Sequence, residues 1–204
     1  EAGIELTAAE IYQPDATGLL EGAKRILAKI KAAEAEGRPI DAMFMPGGPD
    51  EIAQLGPLFG YSGIDTKKTK LIGTSAWDIP FTGRDNALAG AWYASPDPAA
   101  WIAFSQKFQA HFGQPPPRLA TLAYDAMNMA IDLARTPPPA RYGDAAITRP
   151  AGFPGVDGIV HFSTDGKARR GLAVLEIGKR GSAVIDPAPG ASVAVDPRVS
   201  SVDP

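Results

Sequence analysis

The chain has 204 residues, 45% of them apolar, which fits one or two domains with a sizeable core. Twenty Lys and Arg against 23 Asp and Glu leave a net charge of −3, which excludes a general polyanion binder. With no cysteine and two histidines, a disulfide scaffold, a thiolate metal site and a cysteine nucleophile are excluded as well.

Residues 4–12 alternate loosely up to Tyr12 and predict a strand, turned by Gln13-Pro14-Asp15. Leu19, Leu20, Ala23, Ile26, Leu27 and Ile30 then recur at helical spacing, and Asp15 or Thr17 can accept from the first-turn N–H groups. Gly37 and Pro39 stop that helix. Ile40 to Met45 reads as a buried parallel strand ending in the tight loop Pro46-Gly47-Gly48-Pro49. Ile52, Leu55 and Phe59 mark a short second helix, Lys70 to Gly73 the next strand, and Thr74 to Asp78 the loop at its carboxyl end. Strand, helix, strand, helix, strand with short connections predicts a parallel sheet with right-handed crossovers, an α/β unit within the first 85 residues.

Leu88 to Ala94 reads as a further strand, and Asp97 caps a helix with Pro98 at its first position. Trp101, Phe104, Phe108 and Phe112 fall on one face of that helix, and Leu119, Leu122, Ala126, Met129 and Leu133 mark another. Residues 136–156 form a loop rich in Pro, Gly and Arg. Val156 to Phe162 and Leu172 to Ile177 are predicted to pair around Ser163-Thr164-Asp165-Gly166, a hairpin turn signal. The tail from Asp186 to Pro204 is predicted to extend or disorder. The two helices between 97 and 135 have apolar faces and no strands of their own nearby, so they need a second sheet.

Several short motifs, in this order, resemble the type I periplasmic binding proteins. They are the run from Ile40 to Gly73, Gly90-Ala91-Trp92, Phe104 to Gly113, Ala123-Tyr124-Asp125-Ala126, Gly155-Val156-Asp157-Gly158 to Phe162, and Asp165-Gly166. Arg169 to Leu175 and Ile185 to Pro189 sharpen the likeness toward the penicillin-binding protein activators. The resemblance spans about residues 3–190 and implies two α/β lobes, each a parallel sheet flanked by helices, with ligand bound in the cleft between them. On that scheme residues 1–90 are the second-lobe unit, 91–156 contribute helices of the first lobe, 157–185 are return strands and 186–204 an extended tail. The sheet of the first lobe would lie upstream, making these residues a C-terminal fragment of a two-lobed protein.

The resemblance implies a non-enzymatic receptor for a small polar ligand such as an amino acid or peptide, with Gly48, Pro49, Asp50, Thr74, Ser75, Ala76 and Trp77 as ligand-binding residues. It implies no catalytic residue, no metal and no cofactor. The implied location is the periplasm, with a lipid anchor on an N-terminus outside these residues, and no nucleic acid and no transmembrane segment is expected. The alternative that the resemblance offers is a regulator acting by protein–protein contact, with a cell-wall synthase or a transporter as partner. In amino-acid-binding relatives a Tyr follows the Gly-Gly turn, and an acid after the next strand pairs with the ligand's ammonium. Here Pro49 and Asp50 follow Gly47-Gly48 and Ser75 stands at the acidic position. A hydroxyl cannot neutralise a buried ammonium.

Competing readings of the same residues are blander. Gly73-Thr74-Ser75-Ala76-Trp77 half resembles a nucleophile elbow but lacks its second glycine, and only His111 and His161 could serve as base. Gly47-Gly48 lacks the Lys-Ser/Thr of a phosphate loop and reads first as a sharp turn. Trp77, at a strand's carboxyl end, either stacks on a ligand or caps the lobe. The four aromatics of 101–112 read as core; Asp125 could hydrogen-bond near the lobe hinge but reads first as a solvated or helix-bonding side chain.

Overall fold

The structure is a computed structural model that describes residues 3–13, 15–61, 68–78 and 88–189. In chain order its elements are α1 (Ala16–Ala35), β1 (Ala42–Phe44), α2 (Pro49–Tyr61), β2 (Lys70–Gly73), β3 (Trp92–Ser95), α3 (Pro98–Phe112) and α4 (Ala120–Ala134). A short α5 (Asp144–Ile147) follows, then β4 (Val160–Phe162), β5 (Ala168–Arg170), β6 (Ala173–Gly178) and β7 (Gly181–Asp186). The chain divides into two compact units, Glu1–Ser95 with Val174–Ile185, and Pro96–Ala173 with Asp186–Pro204.

The first unit is built on a five-stranded sheet in the order β1-β2-β3-β6-β7. β1, β2 and β3 run parallel, with Phe44 beside Ile72 and Ile72 beside Trp92. The Gly90 N–H donates to Ile177 O, and the Ile177 N–H to Ala91 O. The start of β3 thus meets the end of β6, so these two strands oppose each other. Of the two candidate caps for α1, Asp15 serves, its Oδ1 accepting from the Gly18 N–H at 2.7 Å. Gly37, at φ +77°, ends the helix where a side chain would be strained. α1 buries Leu19, Ala23, Leu27, Ile30 and Ala33, and α2 adds Ile52 and Leu55.

The second unit holds α3, α4, α5 and the antiparallel pair β4–β5. Asp97 Oδ1 accepts from the Ala99 N–H, Pro98 opens α3, and Gly113 closes it at φ +73°. The aromatics of α3 form a tilted ladder, Trp101–Phe104–Phe108–Phe112, and Phe104 meets Tyr124 of α4 with ring centroids 5.1 Å apart. No residue of α3 is fully buried. Among the aliphatic and aromatic side chains of residues 96–172, only Pro96, Pro116, Leu133, Phe153 and Val160 are buried.

Five expectations need correction. Residues 4–12 form no strand: the segment is held to α1 by Lys29 on Ala9 O and Arg25 on Ile11 O, with no ladder partner. The run at 40–45 is a three-residue edge strand with one buried residue, because no strand covers its outer side among the described residues. The Asp165-Gly166 turn does close a hairpin, but β4 pairs with β5; Leu172 to Ile177 instead supplies β6, which joins the large sheet beside β3. Asp125 is not solvated, and at 1% exposure it accepts from the Val156 N–H at 2.8 Å. The strand expected at 88–94 begins later, at Trp92, and β7 was not foreseen. From residue 190 onward the expected extended tail lies outside the described residues.

Candidate functional site

Both candidate loops leave the carboxyl ends of neighbouring parallel strands, where open α/β sheets leave a crevice. The loop after β1 passes Pro46, Gly47 and Gly48 into α2. The one after β2 makes a 3-10 turn over Ser75–Trp77, capped by Thr74 Oγ1 on the Ala76 N–H. Trp77 ties them together: it is 0% exposed and its indole N–H donates to Gly47 O at 3.2 Å. Beneath it lies Gly73, where any Cβ would overlap the indole ring.

This arrangement decides which groups can meet a solute. The Gly48 N–H donates to Glu51 Oε2 at 3.2 Å, and the same oxygen accepts from the Tyr12 hydroxyl at 3.4 Å. The Gly48–Glu51 spacing is that of a capping box, a signal readable in the sequence. Thr74 is engaged in its cap, whereas Ser75 and Ala76 are exposed. Asp50 is exposed in the first turn of α2, and among the described residues its carboxylate has no partner. Pro49 opens α2. The loops therefore carry an exposed hydroxyl, an exposed carboxylate and a buried indole. His111 and His161, the only candidate bases, belong to the other unit.

Asp78 supports the site from behind. Its Oδ1 accepts from the Tyr93 hydroxyl at 3.3 Å and its Oδ2 from Ser95 Oγ at 3.1 Å. Burial pushes the Tyr93 phenol up to about 12, opposed by a hydrogen bond with Ser182 and reinforced by the Asp78 charge. The fold holds the protonated phenol. The stability it confers is complete below the ordinary value of 10.0 and is lost as pH rises through about 12. Tyr93→Phe is expected to flatten that alkaline loss in urea unfolding measured across this range.

In the second unit a concavity of about 370 Å³ lies between α4 and the 149–154 segment. Asp132 and Arg149 pair across it, with the guanidinium 4.0 Å from the centroid of Phe153. No described helix is long and apolar enough to cross a membrane. Among the described residues no cluster of three His, Asp or Glu could hold a metal.

No family model and no curated protein matches this sequence. Solved structures do. The leucine-binding protein LivK of Thermotoga maritima superposes with a TM-score of 0.53 at 19% identity, over 77% of this chain and 46% of that one. A solute-binding protein of an R. palustris ABC transporter, in complex with benzoate, gives 0.54 at 18% identity, over 87% and 49%. The C-domain of LpoA from Haemophilus influenzae, a regulator of PBP1A, gives 0.54 at 14% identity, over 80% and 49%. The chain has the fold of the type I periplasmic binding proteins. It spans about half the length of each of these structures. The parallel strands β1 to β3 carry the two loops at their carboxyl ends.

Proposed function

We propose that this chain is part of a non-enzymatic, extracytoplasmic receptor of the solute-binding kind, taking a small polar ligand in a cleft between two lobes. The observation that carries this reading is the Trp77–Gly47 bond. It holds the loops at 46–50 and 74–78 side by side at the carboxyl edge of a parallel sheet, with Ser75 and Asp50 outward. On this reading Gly48, Pro49, Asp50, Thr74, Ser75 and Ala76 form one wall, and Trp77 stiffens that wall from below. Residues 1–90 then form the second lobe, 91–156 contribute helices of the first, and 157–185 return between them. The sheet covering α3 and α4 lies outside these 204 residues. The exposed Leu122, Met127 and Ile131 of α4 favour this, since the described residues leave them uncovered. A ligand that touches both lobes favours their closed arrangement. Calorimetric titration of the full-length protein with amino acids, aromatic carboxylates and short peptides tests it. Heat of binding lost in Ser75→Ala or Asp50→Ala supports the reading, and silence across the panel removes it.

A second reading is favoured by Ser75, which leaves no carboxylate where amino-acid receptors place one. There the cleft no longer binds solute, and the chain regulates a cell-wall synthase by surface contact in the periplasm. Capture of a penicillin-binding protein by the immobilised chain, with no solute heat, would select it.

A further inference from the structure

The first unit's sheet ends on β7, its outermost strand, every residue of which is exposed. β7 follows β6 through the turn Lys179-Arg180, so the two run antiparallel, and Gly178 faces Gly181 across the turn. Ile177 turns both its peptide groups to the other side. Its N–H donates to Ala91 O at 2.9 Å and its carbonyl accepts from the Gly90 N–H at 2.8 Å. In an antiparallel ladder the peptide groups of successive residues point to alternate sides. Glu176 and Gly178 therefore bond to β7, opposite Ala183 and Gly181. The peptide groups of Ser182 and Val184 are left pointing outward, and among the described residues no strand takes them.

Natural sheet edges are guarded by charges, prolines or bulges within the strand. β7 carries no charge and no proline from Gly181 to Ile185; its charges sit at the two ends. Lys179 and Arg180 are exposed in the turn, and Asp186 closes the strand. Among the described residues none of these three is in an ion pair. Pro187, with no N–H to give, ends the ladder. Basic at one end, acidic at the other and neutral between, the edge is complementary to its own reversed copy.

We infer that two copies of this chain pair antiparallel through β7 about a two-fold axis, so that one sheet runs through both. Ser182 of each copy exchanges its peptide hydrogen bonds with Val184 of the other. The two Ala183 residues face each other, and Arg180 stands against Asp186 of the other copy. The charges and the peptide groups choose this register together. A slip by one residue sets outward peptide groups against inward ones. A slip by two sets Arg180 against Val184 in one direction and against Ala188 in the other, and no acid then lies opposite a base. One strand pair covers less than the about 1,600 Å² of a standard interface, so the dimer forms at high concentration and weakens in salt. This inference does not depend on the solute reading.

Sedimentation velocity and cross-linking of the full-length protein test it. A concentration-dependent shift to twice the monomer mass is expected. Val184→Pro removes an outward N–H and no bond to β6, so its circular dichroism is expected to be unchanged and its dimer lost. Arg180→Asp is expected to abolish the dimer as well, and adding Asp186→Arg to restore it. These 204 residues hold no cysteine. Under a mild oxidant Ala183→Cys is expected to give a 183–183 linked peptide in mass spectrometry. Facing residues that exchange no hydrogen bonds lie about 4.5 Å apart at Cα, within disulfide reach. Ile185→Cys, opposite Gly181 of the other copy, is expected to stay unlinked. A monomer at millimolar concentration, a dimer that survives Val184→Pro, or linkage at 185 as fast as at 183 overturns the inference. So does an edge taken by a strand of a different protein while this chain stays monomeric.

Discussion

Replacing Trp77 with alanine is expected to lower the unfolding free energy by about 3–5 kcal/mol, the range for emptying a fully buried large aromatic site. The indole is wholly covered, so its removal leaves a cavity that the small residues around it cannot fill. It also deletes the donor to Gly47 O that couples the two loops. Gly73→Ala is expected to approach the same cost by the opposite route. The new methyl falls on the Trp77 ring, which has no free direction in which to move. Denaturant unfolding followed by circular dichroism measures both. A loss below about 1 kcal/mol for Trp77→Ala would mean that the indole is not the core residue described here.

Arg170→Leu is expected to cost about 3 kcal/mol, because it strands buried carboxylates. Arg170 lies 3.3 Å from Asp157 Oδ2 and 3.7 Å from Asp125 Oδ2. Asp157 keeps Arg118 at 2.9 Å and the Thr121 hydroxyl at 2.7 Å. Asp125 Oδ2 is buried without a hydrogen bond, so Arg170 is the cation that compensates it. The double variant Arg170→Leu, Asp125→Asn is expected to regain part of the loss, since the neutral amide no longer needs a counter-charge. Additive losses in that cycle would show the two residues to be uncoupled. Gly155 belongs to the same cluster: a side chain there would overlap the Asp125 carboxylate that caps the Val156 N–H.

Parts of this architecture are written locally, and those parts read well. Lys70 to Gly73 is a short apolar strand between turn residues, and it forms as read. Asp97-Pro98 and Gly113 bound α3 because a cap acceptor, a fixed φ and a left-handed stop are properties of single residues. Pairing across long separations is different. The Asp165-Gly166 turn specifies a hairpin, but nothing near Leu172 says that its run will turn from β5 to β3, where Ile177 bonds to Ala91 just before the strand. The alternation of residues 4–12 is a true strand pattern, but a pattern becomes a strand only with a partner. Asp125 looked like a solvated helix residue because the amide it caps lies 31 positions away. The two loops of the site were legible from glycine and strand ends. Glu51 was legible only as a capping-box acid, while Tyr12 and the hydroxyls on Asp78 were not, since each acts through a neighbour that folding supplies.

The central claim is that the loops at 46–50 and 74–78 form one wall of a ligand cleft. The most direct test is an amide NMR titration of the full-length protein with amino acids, aromatic carboxylates and short peptides. The expected result is a saturable set of shifts centred on Gly48, Asp50, Thr74, Ser75 and Ala76, and absent in Ser75→Ala. Shifts confined to residues outside both loops, or none with any compound, would contradict it.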